Sequence, residues 1–340
     1  MSNKIELIKT TPKAELHLHL RGAIPVSVFT SLLNKYTSNS IPDRVKDIFS
    51  KYNNILPFLK NKQWSENEVS KLFVFNDFEN FLHTYWFTSF FVKEREDLRK
   101  LIKGVTEDLI KQNVVYSEIT ISVREYLDQG LTLEDIKFSI EETLEFKDIK
   151  IMWIVDLVKD FGVESAERLI KEIIKLDIKN LIGITLGGNE IKFPLHMFKG
   201  VYETAKEKGL RLSVHAGEAC GPENIWAAIK KLKSDRIGHG VRAIEDDSLV
   251  DYLAENQIPL EVCVTSNIKT GVYPSYEEHP IKKLYDRGVA ITLNSDDPTF
   301  FNTNLNNELM LLYELGFSQE EILNIIKNGF KYSFENKTGF

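Results

Sequence analysis

From residue 114 onward, short apolar and β-branched runs alternate with longer stretches whose apolar residues recur at helical spacing. The runs fall at 114–122, 151–157, 181–186, 210–215, 236–241, 260–265 and 289–294, and one more at 15–20 opens the chain. Between them, 163–176 places Val163, Ala166, Leu169, Ile170, Ile173 and Ile174 on one helical face, and 194–208 predicts a second helix that stops at Gly209. Such a beat is the signature of consecutive βα units on a parallel sheet. Eight strands with helices between them predict an α/β fold of the closed (β/α)8 TIM barrel type. The alternative, an open doubly wound sheet, lacks its usual G-x-G-x-x-G turn after the first strand.

Residues 22–95 are too long for one βα connection and carry the aromatic run FVFNDFENFLHTYWFTSFF at 73–91. They predict a helical insertion after strand one. Most of its rings would fill the interface between helices and barrel, while a few would roof an apolar pocket at the C-terminal mouth, where barrel active sites lie.

A chain of 340 residues is long enough for one large barrel or for two ordinary domains, and the regular beat makes 1–340 a single domain. The net charge of -7, with no basic block, excludes a polyanionic nucleic-acid partner and favours a small-molecule substrate. No run of 18 apolar residues and no signal-peptide core is present, which predicts no membrane partner and a cytoplasmic protein. Cys220 and Cys263 form no C-x-x-C pair, so both read as small buried apolar residues in a reducing compartment.

The stretch ELHLHLRGA at 15–23 sets His17 and His19 two apart, hence on the same face of a strand. Two inward imidazoles suit zinc, although a hydrogen-bonded pair of core histidines has the same pattern. Later strands end in His215 with Glu218 three residues on, in His239, and in Asp296 and Asp297. All sit at C-terminal strand ends, where barrel catalytic residues collect. A site of three histidines and a carboxylate can leave a position for water, and the remaining His239, Glu218 and Asp297 supply a base and proton donors around an electrophilic carbon.

The ordered motifs PKAELHLHLRGAIP, ITLGGNE, HAGE, IGHG, CVTSNIKTGVYPSYEEHP and LNSDDP, which span nearly the whole chain, resemble the motif series of the adenosine deaminase family. The resemblance implies a mononuclear zinc barrel that hydrolyses the 6-amino group of adenine-type purines. By position, it makes His17, His19, His215 and Asp296 the zinc ligands. His239 would take a proton from the attacking water and orient it; Glu218 would protonate purine N1, Asp297 would meet N7, and the Gly188 backbone N–H would meet N3. Adenosine and 2'-deoxyadenosine are the expected substrates, with a 5'-modified adenosine or free adenine as alternatives. A non-catalytic nucleoside-binding barrel would be expected to lack a ligand or Glu218.

Two positions depart from the family pattern. Asn189 stands where aspartate is frequent, and Arg21 stands where a carboxylate usually accepts from a ribose hydroxyl. A guanidinium accepts no hydrogen bond, so Arg21 either pairs with an acid of the insertion or meets an anionic or carbonyl-bearing group at the 5' end of the substrate. His83, His196 and His279 read as structural, and Thr265, Ser266 and Asn267 as residues near the mouth without a role.

Overall fold

The strand runs pair in the order in which they occur. In the computed structural model, which describes residues 2–37, 41–60, 62–75 and 78–335, β1 (Lys13–His19), β2 (Val114–Ile121), β3 (Lys150–Asp156), β4 (Leu181–Thr185) and β5 (Arg211–Leu212) form one parallel sheet. A second parallel sheet holds β6 (His215–Ala216), β7 (Ile237–His239), β8 (Leu260–Val262) and β9 (Ile291–Leu293). Strands covered on both faces read as near-continuous apolar runs, and Ile119, Ile121, Trp153, Val155 and Ile184 are all fully buried.

The run at 210–215 is thus broken into β5 and β6, but backbone bonds carry the ladder across the break. Ser213 N donates to Ile184 O at 3.0 Å, and Gly238 N donates to Val214 O at 2.8 Å. At the other seam, His19 N donates to Asp296 O at 2.9 Å and Asp296 N to His17 O at 3.1 Å, around a parallel bridge between Leu18 and Asp296. Together these bonds make the eight runs a (β/α)8 barrel.

Several boundaries differ from the sequence reading. β8 ends at Val262, Cys263 precedes a helix at Val264–Lys269, and Thr265, Ser266 and Asn267 are therefore helical. β7 stops at His239, because Gly240 takes a left-handed backbone and starts the 3-10 turn Val241–Glu245. The predicted helix at 163–176 is observed as Val163–Leu176, whereas 194–208 divides into a 3-10 turn, Leu195–Phe198, and a helix, Lys199–Glu207.

After β1 the chain builds short helices at Val26–Thr37, Asp43–Phe49, Glu66–Val69 and Phe78–Ser89, and then Arg95–Lys111 leads into β2. Of the span at 22–95, residues 38–40, 61, 76 and 77 and the Phe78 side chain lie outside the described residues. Phe29, Phe49, Phe87 and Phe91 pack edge to face and are fully buried, so these rings are core. Phe81 and Tyr85 instead reach the barrel mouth, where they meet Phe301 and Phe300 with ring centroids 5.2 and 5.1 Å apart. One hydrophobic cluster extends from Ile8 to Ile326. Among the described residues no helix is long and apolar enough to cross a membrane.

Candidate active site

The C-terminal strand ends bring six of the residues singled out by motif to one point. His17 and His19 come from β1, His215 opens β6, His239 closes β7, Glu218 follows β6, and Asp296 lies just past β9. His239 and Asp296 both hold left-handed backbone, with φ of 58° and 63°. Such angles are uncommon outside glycine and concentrate at functional sites.

His17 Nε2 and His19 Nε2 each lie 3.3 Å from Asp296 Oδ1, and His19 Nε2 lies 3.3 Å from His215 Nε2. Ligand atoms at the corners of a tetrahedron around zinc, with bonds of about 2.0 to 2.1 Å, are separated by about 3.3 to 3.4 Å. In two of these groups the other polar atom is already engaged. His17 Nδ1 donates to Glu261 Oε2 at 2.8 Å, which leaves the buried Nε2 without a hydrogen-bond partner. Ser266 Oγ donates to Asp296 Oδ2 at 2.7 Å, leaving Oδ1 directed at the histidines. This donor set could hold a divalent metal.

His239 also comes close, and the ligand atoms of His17, His215, His239 and Asp296 lie within 4.8 Å of one another. The shorter edges favour His19 over His239, whose Nε2 is 4.0 Å from Asp296 Oδ2 and whose Nδ1 contacts Asn267.

Around this centre stand groups suited to proton transfer. Glu218 Oε2 is 3.5 Å from His239 Nε2, and the side chain keeps 24% exposure. Burial, then the negative charges of Asp296 and Glu190, push its carboxyl up to about 8. Asp297 is raised well above the usual carboxylate range by burial and by the charge of Asp296. A carboxyl kept neutral in this way can donate a hydrogen bond, which a carboxylate cannot. Its Oδ1 lies so close to Gly22 that a Cβ there would come within 1.7 Å, so only glycine fits at 22. Gly188, at φ +89°, lies on the cavity wall, and the neighbouring Asn189 N–H is drawn away to Asp160 Oδ2 at 2.8 Å.

Two of the residues that matter here carried no role in the sequence reading. Glu261 orients His17, and its only signal was a lone acid inside the apolar run LEVCV. Glu190 accepts from Gly217 N at 2.6 Å, Ala219 N at 2.7 Å and Cys220 N at 2.8 Å, and so fixes the turn that carries Glu218. It ends the ITLGGNE motif. His279, read as structural, is buried and bonded to Asn267. His83 lies against Tyr52 with centroids 3.7 Å apart, and His196 is exposed, so neither joins the site. Cys263 is buried as expected, but Cys220 is only half-buried.

The site opens into a cavity of about 550 Å³. Its wall carries Glu125, Asp156, Asp160, Glu190, Glu218, Asp296 and Asp297, and no lysine or arginine among the described residues. Arg21 is buried behind this wall. Its Nη1 and Nη2 donate to Glu125 Oε2 and Oε1 at 2.8 and 2.9 Å, and its guanidinium stacks 3.7 Å from the centre of the Tyr85 ring. The ion pair is the one considered from sequence, but its acid comes from the helix after β2, Val123–Asp128, instead of the insertion.

The adenosine deaminase family profile matches residues 12–339. The chain is 34% identical over 338 residues to an aminodeoxyfutalosine deaminase of Streptomyces avermitilis, covering 96% of this chain and 88% of that one. It is 32% identical over 342 residues to an adenosine deaminase of Clostridium kluyveri, covering 98% and 93%. The crystal structure of an adenine deaminase from Arthrobacter aurescens superimposes with a TM-score of 0.82 at 25% identity, over 96% of this chain and 94% of that one. With a match along almost its full length, this chain belongs to the adenosine deaminase family of hydrolytic deaminases.

Proposed function

We propose that the cavity hydrolyses the 6-amino group of an uncharged 6-aminopurine nucleoside, adenosine or 2'-deoxyadenosine, to the 6-oxo purine and ammonia. The observation that carries this choice is a cavity wall that, among the described residues, presents the carboxylates Asp156 and Asp160 and no lysine or arginine side chain, while the nearby Arg21 guanidinium is bidentate to Glu125. Anionic groups brought against like charge lose several kcal/mol, which disfavours a 5'-carboxylate or phosphate. The volume is that of a small-ligand pocket and leaves room for a sugar beside the base.

In this reading His17, His19, His215 and Asp296 hold one zinc ion. When bound, the metal supplies a nucleophile at neutral pH by lowering the pKa of water from about 15.7 to about 7. Glu218, largely protonated at pH 7, gives its proton to N1 as oxygen adds to C6 and the electron pair moves onto the ring. It then takes one proton from the water and passes it to the departing amino group, which leaves as ammonia, and the second water proton returns to Glu218 as the C6 oxygen becomes the carbonyl. Asp297 donates to N7 as a neutral acid, the Gly188 N–H donates to N3, and His239 orients the attacking oxygen.

At the sugar end, Glu125 takes the place of the carboxylate that Arg21 displaces. Arg21 holds it against the cavity with two hydrogen bonds, and the remaining lone pairs accept from a ribose hydroxyl.

A substrate panel tests the assignment. Adenosine and 2'-deoxyadenosine should exceed adenosine 5'-phosphate and a 5'-carboxylated adenosine in kcat/KM by at least about 100-fold, the equivalent of several kcal/mol of like-charge repulsion. The proposal fails if an anionic analogue is the best substrate and Arg21→Ala abolishes that preference.

A further inference from the structure

Behind His239 a row of three contacts runs away from the cavity, and its direction can be read from one unambiguous donor. The backbone N–H of Ile281 can only donate, and it meets His279 Nδ1 at 3.3 Å. A neutral imidazole that accepts on one nitrogen carries its proton on the other. His279 Nε2 therefore donates to Asn267 Oδ1, 3.1 Å away.

With its carbonyl turned to His279, Asn267 turns its NH2 group to His239, and Nδ2 lies 3.2 Å from His239 Nδ1. His239 accepts there. Its own proton is then on Nε2, the nitrogen directed toward Glu218 Oε2 at 3.5 Å and Asp296 Oδ2 at 4.0 Å. Relative exposures of 1% for His239, 0% for Asn267 and 5% for His279 keep bulk water from substituting for any link. Burial, and then the adjacent His239, also hold His279 neutral, with its pKa lowered to about 3.

We propose that Asn267 and His279 are positioning residues that lock His239 as the Nε2–H tautomer, so that it donates a hydrogen bond to the attacking oxygen instead of removing its proton. The inference rests on the deaminase reading above and replaces the role of base that the motif alone suggested for His239. The donated bond turns an oxygen lone pair toward C6. The water's proton goes to Glu218, which has already given its own to N1 and stands beside the same oxygen.

The proton position is directly observable. In protein labelled with 15N-histidine and used as purified with its metal, two-bond 1H–15N correlations should show both His239 and His279 protonated on Nε2. In Asn267→Asp the carboxylate accepts from both rings, so the His239 proton should move to Nδ1 while His279 is unchanged, which also reports an intact fold. There kcat should fall by about 100-fold or more, the scale of losing one preorganised hydrogen-bond donor at the reacting atoms, with KM held within about twofold. His279→Gln, whose amide can still donate to Asn267, should retain most of kcat, and His279→Leu should not.

The proposal is overturned if wild-type His239 carries its proton on Nδ1 or on both nitrogens. It is equally overturned if Asn267→Asp moves the proton and leaves kcat unchanged. Absence of turnover with every 6-aminopurine, while both rings keep their Nε2 protons, would remove the deaminase reading and leave the tautomer assignment standing.

Discussion

Glu218 can act as an acid near neutral pH because of where it sits. A carboxyl with a pKa raised to about 8 is mostly protonated at pH 7 and loses its proton as the pH rises through that value. Activity that needs this proton is full on the acidic side and lost on the alkaline side. The expected kcat/KM profile has an alkaline limb with an apparent pKa at or below about 8, since a bound cation can only lower it. Glu218→Gln, which has no acidic proton, should lose about 100- to 10,000-fold in kcat. A profile flat to high pH in the wild type would contradict the assignment. At this scale the sequence shows which chemical groups are present, and His17, His19, His215, Glu218 and Asp296 were legible as a set. Their protonation states were not, because those depend on burial and on neighbours such as Glu190, 28 residues earlier in the chain than Glu218.

Elements determine how firmly these groups are aimed. The Gly217–Cys220 turn has no regular structure of its own after β6, and its amides are gathered on one carboxylate from the loop after β4. Charge-assisted bonds of this kind contribute about 1.5 to 3 kcal/mol each. Glu190→Ala should therefore lower Tm by several degrees and reduce kcat with metal content unchanged, as calorimetry and metal analysis can check. Loss of metal together with activity would mean that the clamp supports the proposed ligand His215 and not only Glu218. The long strands β2 and β3 and the helix Val163–Leu176 were legible from periodicity. The short strands β5 to β9 fall on the predicted runs, but their ends were not legible, since two or three residues of ladder suffice where Gly240 or a helix start turns the chain away. The same limit put Asn267 in an unassigned stretch near the mouth. It became interpretable only as a buried side chain on the helix Val264–Lys269, beside His239.

In the whole molecule, residues from both ends of the chain meet at the proposed metal site. His17 and Asp296 are brought together by the closing seam of the barrel, so a metal held there ties the first strand to the last. A ligand that binds only the folded state stabilises it by about 2.7 kcal/mol at 100 times its dissociation constant. Chelation should accordingly lower Tm, and added zinc should restore it in a concentration-dependent way. No change in Tm would argue against a tightly held ion. What the sequence determined by itself is the barrel and the reactive groups on its rim, because alternation of strand and helix is a local pattern and strand-end positions follow from it. Tertiary structure alone decided that Arg21 is neutralised by Glu125, that His17 leans on Glu261, and that Asn267 and His279 orient His239. Those are pairings between different strand ends and loops, and the energies that select them, desolvation and directed hydrogen bonds, exist only once the barrel has closed around them.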